Sequence, residues 1–247
     1  MERIRAVLGN ASIKVPPAVM KRSILLRALR EIYPRLLKRF GPQSWWPAET
    51  RFEVIVGAIL TQNTSWTNVE KAISNLKRRD RLTPLALKNI SPEELALLIK
   101  PSGYFNVKAK RLKHFIEFLF KEYDGKLDSM AKEPWGTLRK QLLSINGIGP
   151  ETADSILLYA LDKPVFVVDA YTRRILSRHN LVSHDVDYET LQGSFMKNLA
   201  SDVKMFNEYH ALLVRLGKEI CKNKPACEVC PLNDLDPPYI PQTAQKP

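Results

Sequence analysis

Two stretches of the chain hold residue types suited to chemistry. In the first, Leu142-Leu143-Ser144-Ile145-Asn146-Gly147-Ile148-Gly149-Pro150-Glu151-Thr152-Ala153, an apolar helix end runs into Gly-Ile-Gly, and Pro150 opens a new helix. Glycines at 147 and 149 can take positive φ and leave their backbone N–H groups unshielded. A helix N-terminus just behind makes those groups a site for an anion such as a phosphate. Ile148 pins the loop to the core, and the small Ala153 beside Thr152 allows close helix packing. A plain helix connection with a glycine C-cap is the alternative, and Gly-x-Gly alone would favour it. Two helices of the right polarity in a basic chain shift the reading towards nucleic acid.

The second stretch, Pro164-Val165-Phe166-Val167-Val168-Asp169-Ala170-Tyr171-Thr172-Arg173, closes an apolar run with a carboxylate and opens a helix. Asp169 as an N-cap alone is worth roughly 0.5–2 kcal/mol. The same position holds a carboxylate ionised, through the helix dipole and backbone N–H groups. A fixed negative charge at a cleft edge stabilises a positive sugar during glycosyl cleavage and orients a water. The capping and catalytic roles are compatible.

Composition agrees with a polyanionic partner. Lys and Arg outnumber Asp and Glu by 38 to 26, a net charge of +12, with a pI near 9.6. A solubilising, ribosomal or membrane-surface role would use the same excess. The 247 residues, 45% hydrophobic, suffice for a sizeable core. Met1 to Ile13 lacks the apolar core of a signal peptide, and no apolar run is long enough to span a bilayer. A cytoplasmic, nucleoid-associated protein is the expectation. Three cysteines packed between 221 and 230 argue against a disulfide framework and for a metal or cluster site.

The elements that must position these residues read as helices. Phe52, Ile55, Val56, Ile59 and Leu60 share one face, and Leu112, Phe115, Ile116 and Leu119 repeat within Lys108–Phe120. Ser91-Pro92-Glu93-Glu94 reads as an N-cap, first-turn proline and capping-box Glu94. Tyr188–Leu199 and Glu208–Ile220 have the same periodicity. Val165–Val168 alone is strand-like, and too isolated for a sheet. The fold class is therefore all-α. Pro16-Pro17, Gly41–Pro47 and Gly103 read as boundaries, and the Pro- and Gln-rich residues 236–247 as a disordered tail.

The hairpin, the Gly/Pro-rich spacing and Val-Asp resemble the helix-hairpin-helix, Gly/Pro, Asp superfamily of DNA glycosylases, the endonuclease III relatives, from about Trp45 to Cys230. The resemblance implies two helical domains flanking a cleft that takes double-stranded DNA with a damaged base. Residues 1–50 join a C-terminal half-domain of residues 164–235, and residues 51–163 form the central domain with the hairpin at 138–160. Asp169 matches the essential aspartate. Gly147, Ile148, Gly149, Glu151 and Thr152 fall on the DNA-gripping hairpin, and the carbonyls of Leu143, Ile145 and Ile148 on a monovalent-cation site. Gln62 in Leu60-Thr61-Gln62-Asn63-Thr64 matches a residue that enters the gap left by a flipped nucleotide. A monomer is expected.

Two departures carry information. Members with lyase activity have a lysine where this chain has Glu151, which offers no amine for a Schiff base. The family's C-x6-C-x2-C-x5-C pattern becomes Cys221-x5-Cys227-x2-Cys230, with Asp236 where the fourth cysteine would fall. Three thiolates and one oxygen imply an asymmetric, labile [4Fe–4S] site; a zinc site or a remnant without metal are the alternatives.

Ser44-Trp45-Trp46-Pro47, Leu60–Trp66, Pro101–Asn106 and Lys108–Leu112 resemble the bacterial 3-methyladenine DNA glycosylases of the endonuclease III type. That resemblance implies a flipped purine sandwiched by Trp45 and Trp66, a wall formed by Trp46 and Pro47, and pocket lysines at Lys218 and Lys224. An electron-poor alkylated purine gains from aromatic faces and needs little acid catalysis. Core anchoring at a domain junction is the alternative for Trp45 and Trp46 taken singly, and their combination with Thr61–Trp66 favours the pocket. His114, His179, His184 and His210 are read as surface or core residues, and Lys77-Arg78-Arg79 and Lys108–Lys113 as solvated faces. Tyr171 and Arg173 could line the cleft. An oxidised-pyrimidine glycosylase with lyase activity and a non-catalytic DNA-binding module are the competing functions.

Overall fold

The computed structural model describes residues 22–235; Pro16-Pro17, Asp236 and the remainder of the tail lie outside the described residues. Among the described residues the chain is helical, without a strand. In order come α1 (Arg22–Phe40), α2 (Arg51–Leu60), α3 (Trp66–Arg78), α4 (Pro84–Asn89), α5 (Pro92–Leu98) and α6 (Phe105–Tyr123). There follow α7 (Leu127–Met130), α8 (Trp135–Ser144), α9 (Pro150–Ser155), α10 (Ala170–Arg178), α11 (Tyr188–Asn198) and α12 (Val203–Glu219). A π-turn, Ile156–Ala160, prolongs α9. No described helix is long and apolar enough to cross a membrane.

Helix α2 is the central rod. The face read from its periodicity is interior, but so is every residue from Phe52 to Leu60, because α3, α6, α9 and the π-turn surround it. Thr50 Oγ1 accepts from Glu53 N at 3.1 Å and starts the helix. The buried Glu53 carboxylate is met by Lys77 Nζ at 3.0 Å. Ser91 caps α5 as its sequence suggests, but the Glu94 carboxylate pairs with Arg81 Nε at 3.6 Å.

The lysines read as a solvated face are partly structural. Lys108 is buried, and its Nζ donates to Leu60 O at 2.8 Å and Ser102 O at 2.7 Å. Burial first, then the Arg111 charge, pushes this ammonium down to about 8. Lys113 Nζ donates to Leu87 O at 2.8 Å and Lys88 O at 3.0 Å. Both side chains thus serve carbonyls at helix C-terminal ends, where a cation suits the exposed acceptors and the dipole. Periodicity locates such residues on a helix without telling which neighbour covers them.

The first described helix returns to the last ones: α1 packs on α11 and α12, and α10 packs on α12. Tyr209 OH of α12 donates to Leu29 O of α1 at 2.8 Å. Buried apolar side chains from both ends and the middle form one continuous core.

Val165–Val168 is buried but forms no strand. Helix α11 supplies the partners instead. Gln192 Nε2 donates to Phe166 O at 2.7 Å, Phe166 N meets Met196 Sδ at 3.2 Å, and Val168 N donates to Tyr188 OH at 3.4 Å. Buried backbone groups need partners, whether or not a sheet provides them. This segment delivers Asp169 to the start of α10.

Candidate active site

The hairpin links α8 to α9. Gly147 has φ +91°, and a Cβ there would come within 2.3 Å of Arg111 Cγ, so position 147 needs glycine twice over. Gly149 differs from the expectation: its φ is −92°, because it is the extended N-cap residue of α9. No atom lies within 4 Å of a Cβ built at Gly149, so its surface is open. Ile145 and Ile148 are buried and Leu143 half-buried. Ile145 O accepts from Ile148 N at 3.0 Å.

Gln62, just beyond α2, reaches this loop. Its Nε2 donates to Gly147 O at 3.1 Å and to Thr152 Oγ1 at 2.9 Å, and its Oε1 accepts from Arg111 Nη1. His114 Nδ1 lies 3.1 Å from Asn146 O. Helix α6 therefore braces the hairpin through Arg111 and His114.

Asp169 is the N-cap of α10. Its Oδ1 accepts from Thr172 N at 2.7 Å and Thr172 Oγ1 at 2.9 Å. Its Oδ2 faces His210 Nε2 of α12 at 3.7 Å, and 11% of the side chain is exposed. Burial alone would push this carboxyl up, but His210 and the two Thr172 bonds outweigh it and hold Asp169 below the ordinary carboxylate range. Glu151, at the start of α9, is exposed as a residue. Protein crowding around its carboxyl, then the Asp169 charge, push it up to about 7, with His210 and Arg173 opposing. The site thus holds one carboxylate ionised and a second close to its midpoint at neutral pH.

Trp45, Trp46 and Trp66 form one group, joined to Asp169 through Tyr159 and His210. Ring centroids of Trp45 and Trp66 lie 6.4 Å apart at 47°. Trp46 meets Trp45 at 5.6 Å, Trp66 at 5.1 Å and Tyr159 at 5.2 Å. The indole N–H groups of Trp45 and Trp46 are buried without a hydrogen-bond partner. The loop between α1 and α2 that carries both is tied to α12: Gln43 N donates to Glu208 Oε1 at 2.7 Å, and Arg215 Nη1 to Phe40 O at 3.1 Å. Lys218 Nζ sits 5.7 Å from the Trp45 ring centroid. Pro47 is exposed beside this group, whereas Lys224 is exposed on the loop after α12 and no described contact joins it to the rings.

Two residues escaped the sequence reading. His210 is buried, as a core reading allows, but its ring faces Asp169; Tyr159 OH meets His210 Nδ1. The available signal was a polar side chain on the apolar face of α12, between Tyr209 and Leu213. Tyr171 is half-buried and packs against Gly217: a Cβ there would fall 2.4 Å from its ring. Arg173 is half-buried and acts on Glu151 through its charge.

Cys221, Cys227 and Cys230 line one small cavity with Arg178 and His179. Arg178 Nη1 lies 3.3 Å from Cys221 Sγ, and Arg174 Nε donates to Cys221 O at 2.9 Å. Among the described residues, no three or more His, Cys, Asp or Glu side chains are arranged to hold a metal ion. Asp236 lies outside the described residues. The described donors therefore do not complete a metal site, and no chemical step is assigned to one.

Comparison with known proteins accords with this geometry. Residues 56–201 match the family described as HhH-GPD superfamily base excision DNA repair protein. A chain of Methanocaldococcus jannaschii named as a candidate DNA repair glycosylase is 51% identical over 83% of this chain and 94% of its own length. Endonuclease III of Thermotoga maritima is 31% identical over 82% of this chain and 89% of its own. The crystal structure of Helicobacter pylori 3-methyladenine DNA glycosylase, solved with 1,N6-ethenoadenine, is 31% identical, with a TM-score of 0.67 over 81% of this chain and 98% of that one. A non-covalent endonuclease III–DNA complex, at 23% identity and a TM-score of 0.73 over 85% and 94% of the two chains, shares the fold. This chain belongs to the HhH-GPD superfamily of base-excision repair DNA glycosylases.

Proposed function

We propose that this glycosylase hydrolyses the N-glycosidic bond of alkylated purines such as 3-methyladenine in duplex DNA, acting as a monomer without an efficient strand-cleaving step. The observation that carries the reading is the neighbourhood of Asp169. A carboxylate held ionised is linked through His210 and Tyr159 to a group of three tryptophans, with Glu151 where lyase members of the family have lysine. The 31% identity to a 3-methyladenine glycosylase supports the substrate class.

In this reading the hairpin N–H groups at Gly147 and Gly149 grip a phosphate, aided by a monovalent cation on the carbonyls of Leu143, Ile145 and Ile148. Phosphate contacts position the duplex and read no base. Gln62 leaves its hairpin partners to fill the stack when the damaged nucleotide turns out, and Trp45 and Trp66 receive the base, with Lys218 and Lys224 at its edge. Flipping must be offset by contacts in the pocket. As the base departs, the sugar becomes positive and Asp169 stabilises it and orients the attacking water. An alkylated purine leaves readily, so no strong general acid is required.

The cluster implied by the cysteine spacing remains a proposal about Cys221, Cys227, Cys230 and Asp236 together. Protein isolated without air should contain iron and acid-labile sulfide in about equal amounts. Iron-free protein with full activity contradicts that assignment.

The functional test uses duplexes carrying a single 3-methyladenine or thymine glycol, incubated with the protein and developed with and without alkali. Base release from 3-methyladenine should precede strand breakage, which should need alkali. Borohydride should trap little covalent adduct, since Glu151 offers no amine. A strong adduct, or preference for thymine glycol, supports instead the competing reading, an oxidised-pyrimidine glycosylase with lyase activity.

A further inference from the structure

Asp169 has two oxygens with unequal surroundings. Oδ1 is fully engaged by Thr172. Oδ2 is met by His210 Nε2 at 3.7 Å, longer than a hydrogen bond. His210 Nε2 is itself buried without a hydrogen-bond partner. Its other nitrogen, Nδ1, meets the hydroxyl of Tyr159 in the π-turn. Tyr159 in turn packs its ring against Trp46 at 5.2 Å. An unbroken series therefore runs from the aromatic group to the carboxylate: Trp46, Tyr159, His210, Asp169.

The geometry points to His210, set by Tyr159, as the positioning residue that holds the free oxygen of Asp169 in register with the aromatic pocket. This inference rests on the reading of Asp169 as the reacting carboxylate. Its basis is a question of tautomers. A neutral imidazole carries one proton, and the hydrogen bond at one nitrogen decides where it sits. With the Tyr159 hydroxyl donating to Nδ1, the proton rests on Nε2 and points at Asp169 Oδ2. With the opposite arrangement a neutral ring would turn a lone pair towards a carboxylate, which is repulsive. Burial keeps Tyr159 a hydroxyl, pushing its pKa well above the usual value, with the Asp169 charge adding to this. Glu151 of α9 feels the charge of both Asp169 and His210, and Arg173 of α10 acts on Glu151.

His210 also gives Asp169 a reason to stay ionised in a setting where burial opposes it. Removing the imidazole should raise the Asp169 pKa, so activity should be lost on the acidic side at a higher pH than in the wild type. A residue that merely filled space would leave that limb where it is.

The test compares His210→Ala, His210→Gln and Tyr159→Phe on a duplex bearing one 3-methyladenine, under single-turnover conditions from pH 5 to 9. Affinity for undamaged duplex and unfolding curves are recorded alongside. His210→Ala should lose excision by tenfold or more, keep duplex affinity within twofold, and shift its acidic limb upward. His210→Gln can place an amide N–H where Nε2 stood and should recover part of the rate. Tyr159→Phe, the mildest change, should lose several-fold with the limb moved the same way. If His210→Ala fails to fold, the other two variants carry the same readout. Rates within twofold of wild type and an unmoved acidic limb in the folded variants overturn the inference, as does equal loss in Ala and Gln without a pH shift. Asp169→Asn is the control. Full turnover in that variant overturns the reading of Asp169 and this inference with it, whereas its inactivity beside wild-type His210 variants overturns the inference alone.

Discussion

Asp154 and Asp169 sit near one another in sequence and are used in opposite ways. Asp154 is fully buried, and every direction around its carboxylate is occupied. Arg139 donates to it through Nε at 2.7 Å and Nη2 at 3.0 Å, Tyr188 OH at 2.9 Å, and Gln192 Nε2 at 2.7 Å. It ties α8, α9 and α11 together and has nothing left to offer a substrate. Asp169 is satisfied on one oxygen only; the other looks towards His210. A saturated buried carboxylate is architecture. A half-saturated one held ionised is available for a developing positive charge.

The largest effect that sharpens this contrast is on stability. Asp154→Ala leaves Arg139, Tyr188 and Gln192 without their acceptor, and breaking a buried pair from one side costs about 3–5 kcal/mol. Urea unfolding should show a loss of that order, while folded molecules retain excision. An unfolding midpoint close to wild type would remove the distinction between the two carboxylates.

Next comes the pocket. Trp45→Ala or Trp66→Ala removes a stacking face worth about 1–3 kcal/mol. Excision of 3-methyladenine should fall accordingly, and more than binding to undamaged duplex, with Phe at either position restoring most of it. If these variants unfold without a selective loss, the tryptophans are core.

The smallest effect is a pH response. Glu151 titrates at about 7, so above that pH a second negative charge stands near Asp169. Stabilisation of a positive sugar should then rise, and excision should increase a few-fold between pH 6 and 8. Glu151→Gln should flatten that step. A step that persists in the variant belongs to another group.

What could be read from the chain divides along the same line as the two aspartates. Asp169 as a cap, the hairpin, Gly147 and the Ser91 cap follow from neighbours a few residues away, where backbone geometry and short side chains decide. His210, Tyr159 and the work of Lys108 depend on helices distant in sequence. A histidine between Tyr209 and Ala211 looks the same whether it faces Leu29 or Asp169. The conformation of Gly149 was misjudged because a helix N-cap is extended, and the glycine there leaves space outside the protein rather than relieving strain. The Val165–Val168 run pairs with side chains of α11, which no local pattern announces.

The most direct measurement is single-turnover release of 3-methyladenine by Asp169→Asn, with duplex affinity and stability recorded on the same preparation. Asparagine is as good an N-cap as aspartate, so it keeps shape and capping while removing the charge. The account predicts a folded protein that binds damaged duplex with nearly wild-type affinity and releases essentially no base. Release at a rate near wild type would reduce Asp169 to a capping residue and contradict the account.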